Sequence, residues 1–187
     1  MTGQAPNRNG LWAWIVGPGA TRADTGLTIA AMVLAVPLAA SAIIAAGPVG
    51  WHWWQWLFVL LLASDLGGGM IANALPATKR WYHRDRAQEP RMLAFAALHL
   101  HLPVLALIVP GAMPLGAALL GYIWLLGGVT ALLAVPHRQR LAVALAFTAL
   151  GTVLLGRLVP IDSALGWMPL ALYLKILAGH LIGPDTA

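Results

Sequence analysis

Residues 52–75 read HWWQWLFVLLLASDLGGGMIANAL, with Asp65 as the one Asp, Glu, Lys or Arg in the stretch. A helix of ~20 apolar residues crosses the ~30 Å hydrocarbon core of a bilayer, so this run predicts a membrane span with a carboxylate near its middle. Working outward, five more runs have the same character, at about 26–46, 91–109, 113–135, 139–159 and 164–183. Turn formers separate them: Gly47-Pro48, Pro110-Gly111, Pro114, Pro136 and Pro160-Ile161-Asp162-Ser163. Proline lacks the backbone donor a helix interior needs, and glycine relaxes the backbone, so these positions end helices. The runs are continuous rather than alternating, which argues against a transmembrane barrel.

Composition agrees. Of 187 residues, 60% are hydrophobic and 9% charged, against roughly 25% charged in a soluble domain. So few charges cannot cover a water-soluble surface. The same figures exclude intrinsic disorder, and the absence of cysteine excludes a disulfide scaffold, thiolate catalysis and Cys-ligated metal. The expected fold is an all-α, polytopic bundle of six transmembrane helices. A polar segment, 1–24, carries an interfacial Leu11-Trp12-Ala13-Trp14-Ile15-Val16 patch. A single transmembrane domain follows at 25–183, with a tail at 184–187. Asp24 or Thr25 is positioned to cap the first span. Leu27–Val36 followed by small residues also has the outline of a secretory signal, but the long polar segment before it favours a retained span.

The net charge of +5 sets orientation rather than nucleic-acid binding. With six spans, one side collects Arg8, Arg22, Lys79, Arg80, Arg84, Arg86, Arg91, Arg138 and Arg140, and the other has Arg157 alone. Basic residues concentrate on the cytoplasmic side, so both termini and the 76–90 loop are expected there. Nine Arg against two Lys, with abundant Ala and Gly, fit a GC-rich bacterial source, hence a multi-pass protein of the bacterial inner membrane.

Function is sought where charge survives inside the spans. Asp65 and Lys175 each cost ~2.5–3.5 kcal/mol to insert near a helix centre, which favours pairing, hydration or chemistry. At 100° per residue, Asp65, Gly69, Ala72 and Asn73 share one face, polar at two levels and bare at Gly69, with Gly68 beside it. His99 and His101 lie 200° apart on a regular helix, and Pro103 removes the donor that the carbonyl of His99 would receive, bending the helix beside both rings. Tyr173 and His180 share a face of the last span. Counted from the cytoplasmic ends at 1.5 Å per residue, all these groups fall in one half of the membrane. One cavity among spans two, three and six is therefore expected, with Asp65, Lys175 and at least one of His99 and His101 converging on it. If they point to separate helix interfaces, the shared site fails.

The readings left open are these. Asp65, His99, His101 and Lys175 are candidate catalytic groups. Gly68, Gly69, Asn73, Arg80, Tyr82, His83, Arg84 and Tyr173 are candidate substrate contacts, the basic loop residues suiting an anionic headgroup. Asp65, His99, His101 and His180 are candidate ligands for zinc or iron. The favoured function is a membrane-embedded enzyme acting on a lipidic or anionic amphipathic substrate. The alternatives are a small transporter or proton- or ion-coupled channel, and a redox subunit holding haem through His180 with His99 or His101. The bland reading of the charges is a structural Asp65–Lys175 pair. The surrounding bilayer is the expected partner, nucleic acid is not, and a homo-oligomer is compatible with the sequence.

Overall fold

The computed structural model describes residues 10–84, 89–109, 111–158 and 163–184. Arg8, Arg86, Pro110, Pro160-Ile161-Asp162 and residues 185–187 lie outside the described residues. The described chain is helical, without strands: α1 (Leu11–Val16), α2 (Arg22–Ala46), α3 (Trp53–Ala74), α4 (Pro76–Tyr82), α5 (Glu89–Ala97), α6 (His101–Ile108), α7 (Leu115–Ala134), α8 (His137–Leu158) and α9 (Met168–Tyr173), which runs on into a π-helix at Leu174–His180.

Five segments are long and apolar enough to cross a membrane: Arg22–Ala46, Trp53–Ala74, Pro90–Ile108, Leu115–Ala134 and His137–Leu158. The expected sixth span differs. It is built of six α-helical residues followed by seven π-helical ones rather than one regular α-helix. Trp167, Met168, Leu172, Tyr173, Ile176 and Leu177 lock it into the bundle core. It packs on α3 on one side and on α7 and α8 on the other, and Gly183 at its end lies beside His83 and His137, so the segment returns from the Leu158 end of α8 to its His137 end.

The first span also starts earlier than expected. Thr21 is the cap: its Oγ1 accepts the Asp24 N–H at 3.1 Å, and Asp24 Oδ2 accepts the Thr21 N–H at 2.8 Å. This reciprocal capping box satisfies two of the donors a helix start leaves unpaired. Helices α2 and α3 form a tight hairpin. A Cβ at Gly67 would lie 2.6 Å from Ala35 Cβ and 2.9 Å from the Ala31 carbonyl oxygen, so the bare backbone there sets how closely the two helices approach. At the far end, Gln55 Nε2 donates to the Ile108 carbonyl at 2.9 Å, tying α3 to α6.

The N-terminal patch forms a real helix, α1, lying across one end of the bundle. Gly17 turns the chain at φ 82°, and a Cβ there would sit 2.6 Å from the Ala77 carbonyl oxygen, so glycine lets α1 rest on α4. Thr78 Oγ1 donates to the Val16 carbonyl at 2.8 Å, and Tyr82 Oη donates to the Trp14 carbonyl at 2.7 Å.

The α2–α3 contact yields a stability test. Gly67→Ala should lower thermal stability in detergent by ~1–3 kcal/mol through overpacking against the Ala31 backbone. Gly127→Ala, where a Cβ meets nothing within 4 Å, should be neutral or stabilising by up to ~1 kcal/mol through helix propensity. Equal effects at the two positions would contradict the packing argument.

Candidate functional site

The third span is broken where the sequence places its two histidines. α5 ends at Ala97 and α6 begins at His101. Between them the His99 N–H bonds to the Ala96 carbonyl and the Leu100 N–H to the Leu98 carbonyl, three and two residues back instead of four. With Pro103 unable to donate, the helical ladder does not run through. The break removes the 200° separation: the His99 and His101 rings stack 5.2 Å apart with 10° between their planes.

His101 turns its ring onto α3. Its Nε2–H donates to Asp65 Oδ2 at 2.8 Å, and Lys175 Nζ donates to the same oxygen at 2.6 Å. Two donors from two different elements therefore converge on one carboxylate oxygen. Among the described residues, Oδ1 receives no hydrogen bond. The lysine is almost wholly buried while the Asp65 side chain is 50% exposed. The stem of Lys175 lies against bare Gly69, where a Cβ would collide with it.

The π-helix makes this geometry. Its register is seen in the Leu181 N–H bonding the Ile176 carbonyl, five residues back, at 3.1 Å. Such wide turns need support and recur at functional sites. Here Asn73 Nδ2 donates to the Lys175 carbonyl at 3.1 Å, and Gly179 lets Asn73 approach. Asn73 thus holds the turn that carries Lys175, besides lining the cavity.

The cavity occupies about 340 Å³ and is walled by Asp65, Ser64, Gly68, Gly69, Asn73, Tyr82, His99 and Lys175, with apolar Ile15, Met32 and Phe95. Gly68 also packs on Met32. The sequence reading missed Trp14, Ile15, Thr28, Met32 and Phe95 as walls. Phe95 was findable, since it precedes His99 by four residues and so shares its helix face. Thr28 and Met32 are likewise four apart. The α1 residues carried no signal beyond an interfacial anchor.

Other expected residues lie elsewhere. Tyr173 is fully buried, and its Oη donates to the Gly121 carbonyl at 3.0 Å, pinning α9 to α7 away from the cavity. Arg80 is exposed and lines none of the cavities described here. His83 Nε2–H donates to the His180 carbonyl at 2.8 Å, closing the end of the π-helix. Arg84 lies over the Trp81 ring, 3.7 Å from its centroid. His180 stacks on Phe95 at 4.0 Å, and Phe95 meets His99 at 4.5 Å.

These placements bear on the cofactor readings. Among the described residues, no three His, Asp or Glu side chains gather as a metal set. Asp65 and His101 supply one carboxylate and one imidazole, but the lysine ammonium takes the adjacent position. Phe95 fills the place between His99 and His180 that a haem held by both would need. The donor set therefore fits neither a zinc or iron centre nor a bis-histidine haem. It fits proton transfer. His99 Nδ1–H donates to the Phe95 carbonyl at 2.7 Å, so its Nε2 keeps a lone pair, as does Nδ1 of a neutral His101.

The ion pair predicts a stability cycle. Lys175→Met should destabilise the protein by ~1–3 kcal/mol, less than the ~3–5 kcal/mol of a fully buried orphan charge because Asp65 is half exposed. Adding Asp65→Asn should recover most of the loss in denaturant unfolding, and strictly additive losses would argue against the pairing. In the loop after α4, burial holds the His83 imidazole below its ordinary 6.5; His137, Arg140 and Lys79 act in the same direction and the bond to the His180 carbonyl opposes them. Folding then favours the neutral ring, so this stability is present above pH 6.5 and is lost as pH falls below it. The thermal midpoint should drop on acidification, less steeply in His83→Gln; parallel profiles would contradict the assignment.

Comparison of the chain with protein-family models, with curated proteins and with solved structures returns no match.

Proposed function

We propose that this protein is a membrane-embedded acid–base enzyme whose substrate is a lipid or another hydrophobic molecule, with Asp65 as the proton acceptor. The observation that carries the reading is the state of Asp65. A carboxylate within a span is half exposed, with one oxygen fixed by Lys175 and His101 and the other without a protein partner among the described residues. A charge there must be met by water or by the polar part of a bound molecule. The cavity around it is otherwise mostly apolar, which suits an amphiphile with a hydrophobic body.

In this reading the substrate places a hydroxyl, or a water beside it, at Asp65 Oδ1. The hydroxyl or water oxygen attacks an ester carbonyl of the lipid as its proton passes to the carboxylate, and Asp65 returns the proton to the alkoxide that leaves when the ester C–O bond breaks, while Lys175 on Oδ2 keeps the carboxylate ionised between turnovers. His101 keeps the carboxylate oriented, and its Nδ1 lone pair remains available for a second proton transfer. Positioned acid–base groups of this kind contribute ~10²–10⁴-fold to a rate. A transport reading needs a polar path to the opposite face. Past the His99–His101 break, the buried residues of α6 are Leu102 and Leu105, which give no such path.

The protein is further proposed to reside in a bacterial inner membrane with its termini and the α4 end of the bundle in the cytoplasm, because nine of the eleven Lys and Arg residues fall on that side of the sequence. The chain contains no cysteine, so single cysteines can be introduced without background. On intact cells an impermeant maleimide should label a cysteine at Gly50 or Gly111 and leave one at Lys79 unlabelled until the membrane is permeabilised. The reverse pattern would invert the orientation.

For activity, purified protein incubated with a bacterial membrane lipid extract should change the abundance of one lipid class, followed by mass spectrometry. Asp65→Asn should reduce that turnover by ~10²-fold or more. Equal turnover by Asp65→Asn, or an unchanged lipid profile with active-fold protein, would count against the enzyme.

A further inference from the structure

A second cavity of about 260 Å³ adjoins the first and shares Trp14, Tyr82 and Phe95 with it. Its distinguishing members are Arg84, just after α4, and Arg91, in the first turn of α5, and among the described residues no acidic side chain lines it. Among the described residues neither arginine has an ion-pair partner. Arg84 is held in place: its guanidinium lies over Trp81, and one Nη donates to the Trp81 carbonyl. Among the described residues, its other N–H groups have no hydrogen-bond partner. The basic loop that looked uniform in sequence is therefore divided by the fold. Arg80 is exposed, Lys79 and Arg138 border a separate cavity with Pro76 and Leu141, and among the described residues Arg84 and Arg91 are the arginines that adjoin the Asp65 cavity.

We infer that the Arg84–Arg91 cavity binds the phosphate group of an anionic phospholipid, whose adjacent ester and chain region extends into the Asp65 cavity. The inference rests on the lipid-enzyme reading above and specifies its substrate class. Planar guanidinium groups match phosphate oxygens through paired N–H donors. Trp14 and Trp81 pack edge to face at 6.0 Å along the wall, giving the aromatic, amphipathic surface that suits the headgroup level of a bilayer. A free phosphate ester would use the same arginines, but it would leave the adjoining apolar walls of Ile15, Met32 and Phe95 unfilled. That argues for the lipid as the source.

The test is a lipid titration of the full chain in detergent, read by native mass spectrometry. The probes are dioleoyl phosphatidylglycerol, dioleoyl phosphatidylcholine and inorganic phosphate. Phosphatidylglycerol should bind about tenfold or more tighter than phosphatidylcholine, the size expected of charge-assisted hydrogen bonds to one anion. Arg84→Gln with Arg91→Gln should abolish that preference, and Arg84→Lys with Arg91→Lys should restore part of it, which a folding defect would not do. Lys79→Gln with Arg138→Gln should leave it intact. Equal affinity for the two lipids, or a preference that follows Lys79 and Arg138, would overturn the site. Inorganic phosphate binding to the arginines without any lipid preference would overturn the lipid as the source. Asp65→Asn should keep the preference while losing turnover. A preserved preference with no turnover even in the native protein would leave the headgroup site standing and remove only the chemistry assigned to Asp65.

Discussion

A charge inside a span must find its opposite within the protein, and here Asp65 finds Lys175. The two sit 110 residues apart in sequence, on the second span and on the last helical segment. Joining them requires the C-terminal segment to enter the bundle and lie along α3. Gly69 makes room for the lysine stem, Asn73 holds the carbonyl of the same lysine, and Gly179 lets Asn73 come close. One ion pair therefore explains a run of small and polar residues that would otherwise be poor choices for a membrane helix. The π-turn is part of that arrangement, since it carries both Lys175 and His180.

The pair alone would be a sufficient structural device if both charges were buried. They are not equally buried. Lys175 is enclosed, while the Asp65 side chain is half exposed, lines the cavity and has an oxygen with no partner among the described residues. A purely structural bridge gains from closing both ends, because leaving a carboxylate open in a hydrocarbon setting is costly. The broken third span makes the same point. Interrupting a helix inside a bilayer is tolerated where the backbone lines protein or a cavity, and this interruption stacks the His99 ring on a histidine that bonds Asp65. The irregular parts of the bundle are the parts that build the cavity wall.

Much of this was legible in the sequence, for physical reasons that can be named. Twenty apolar residues in a row have few alternatives to a membrane helix, so five spans were readable from hydropathy. Asp65, His101 and Lys175 stood out because charge and imidazole are costly in those positions, and the structure brings them to one oxygen. The apolar run of the last segment was legible, but its burial on three neighbours and its π-register were not, because neither is a property of composition. The two histidines looked irreconcilable on a regular helix, and the backbone break that reconciles them was hinted at by Pro103 alone. Tyr173 looked like a cavity residue because it shares a face with His180, but the turn change at Leu174 ends that shared face. Trp14 and Ile15 reach the cavity through bonds between α1 and α4, such as Thr78 to Val16, which no local pattern announces.

The most direct test of a lipid-facing Asp65 site is where a lipid's polar end comes to rest. A phospholipid carrying a photoreactive diazirine beside its ester, irradiated with the protein in liposomes, should attach to the cavity walls at Ile15, Met32 or Phe95, as mapped by peptide mass spectrometry. Adducts confined to the outward-facing side chains of α2, such as Leu27, Val33 and Leu38, would show that the bilayer surrounds the protein without entering the site.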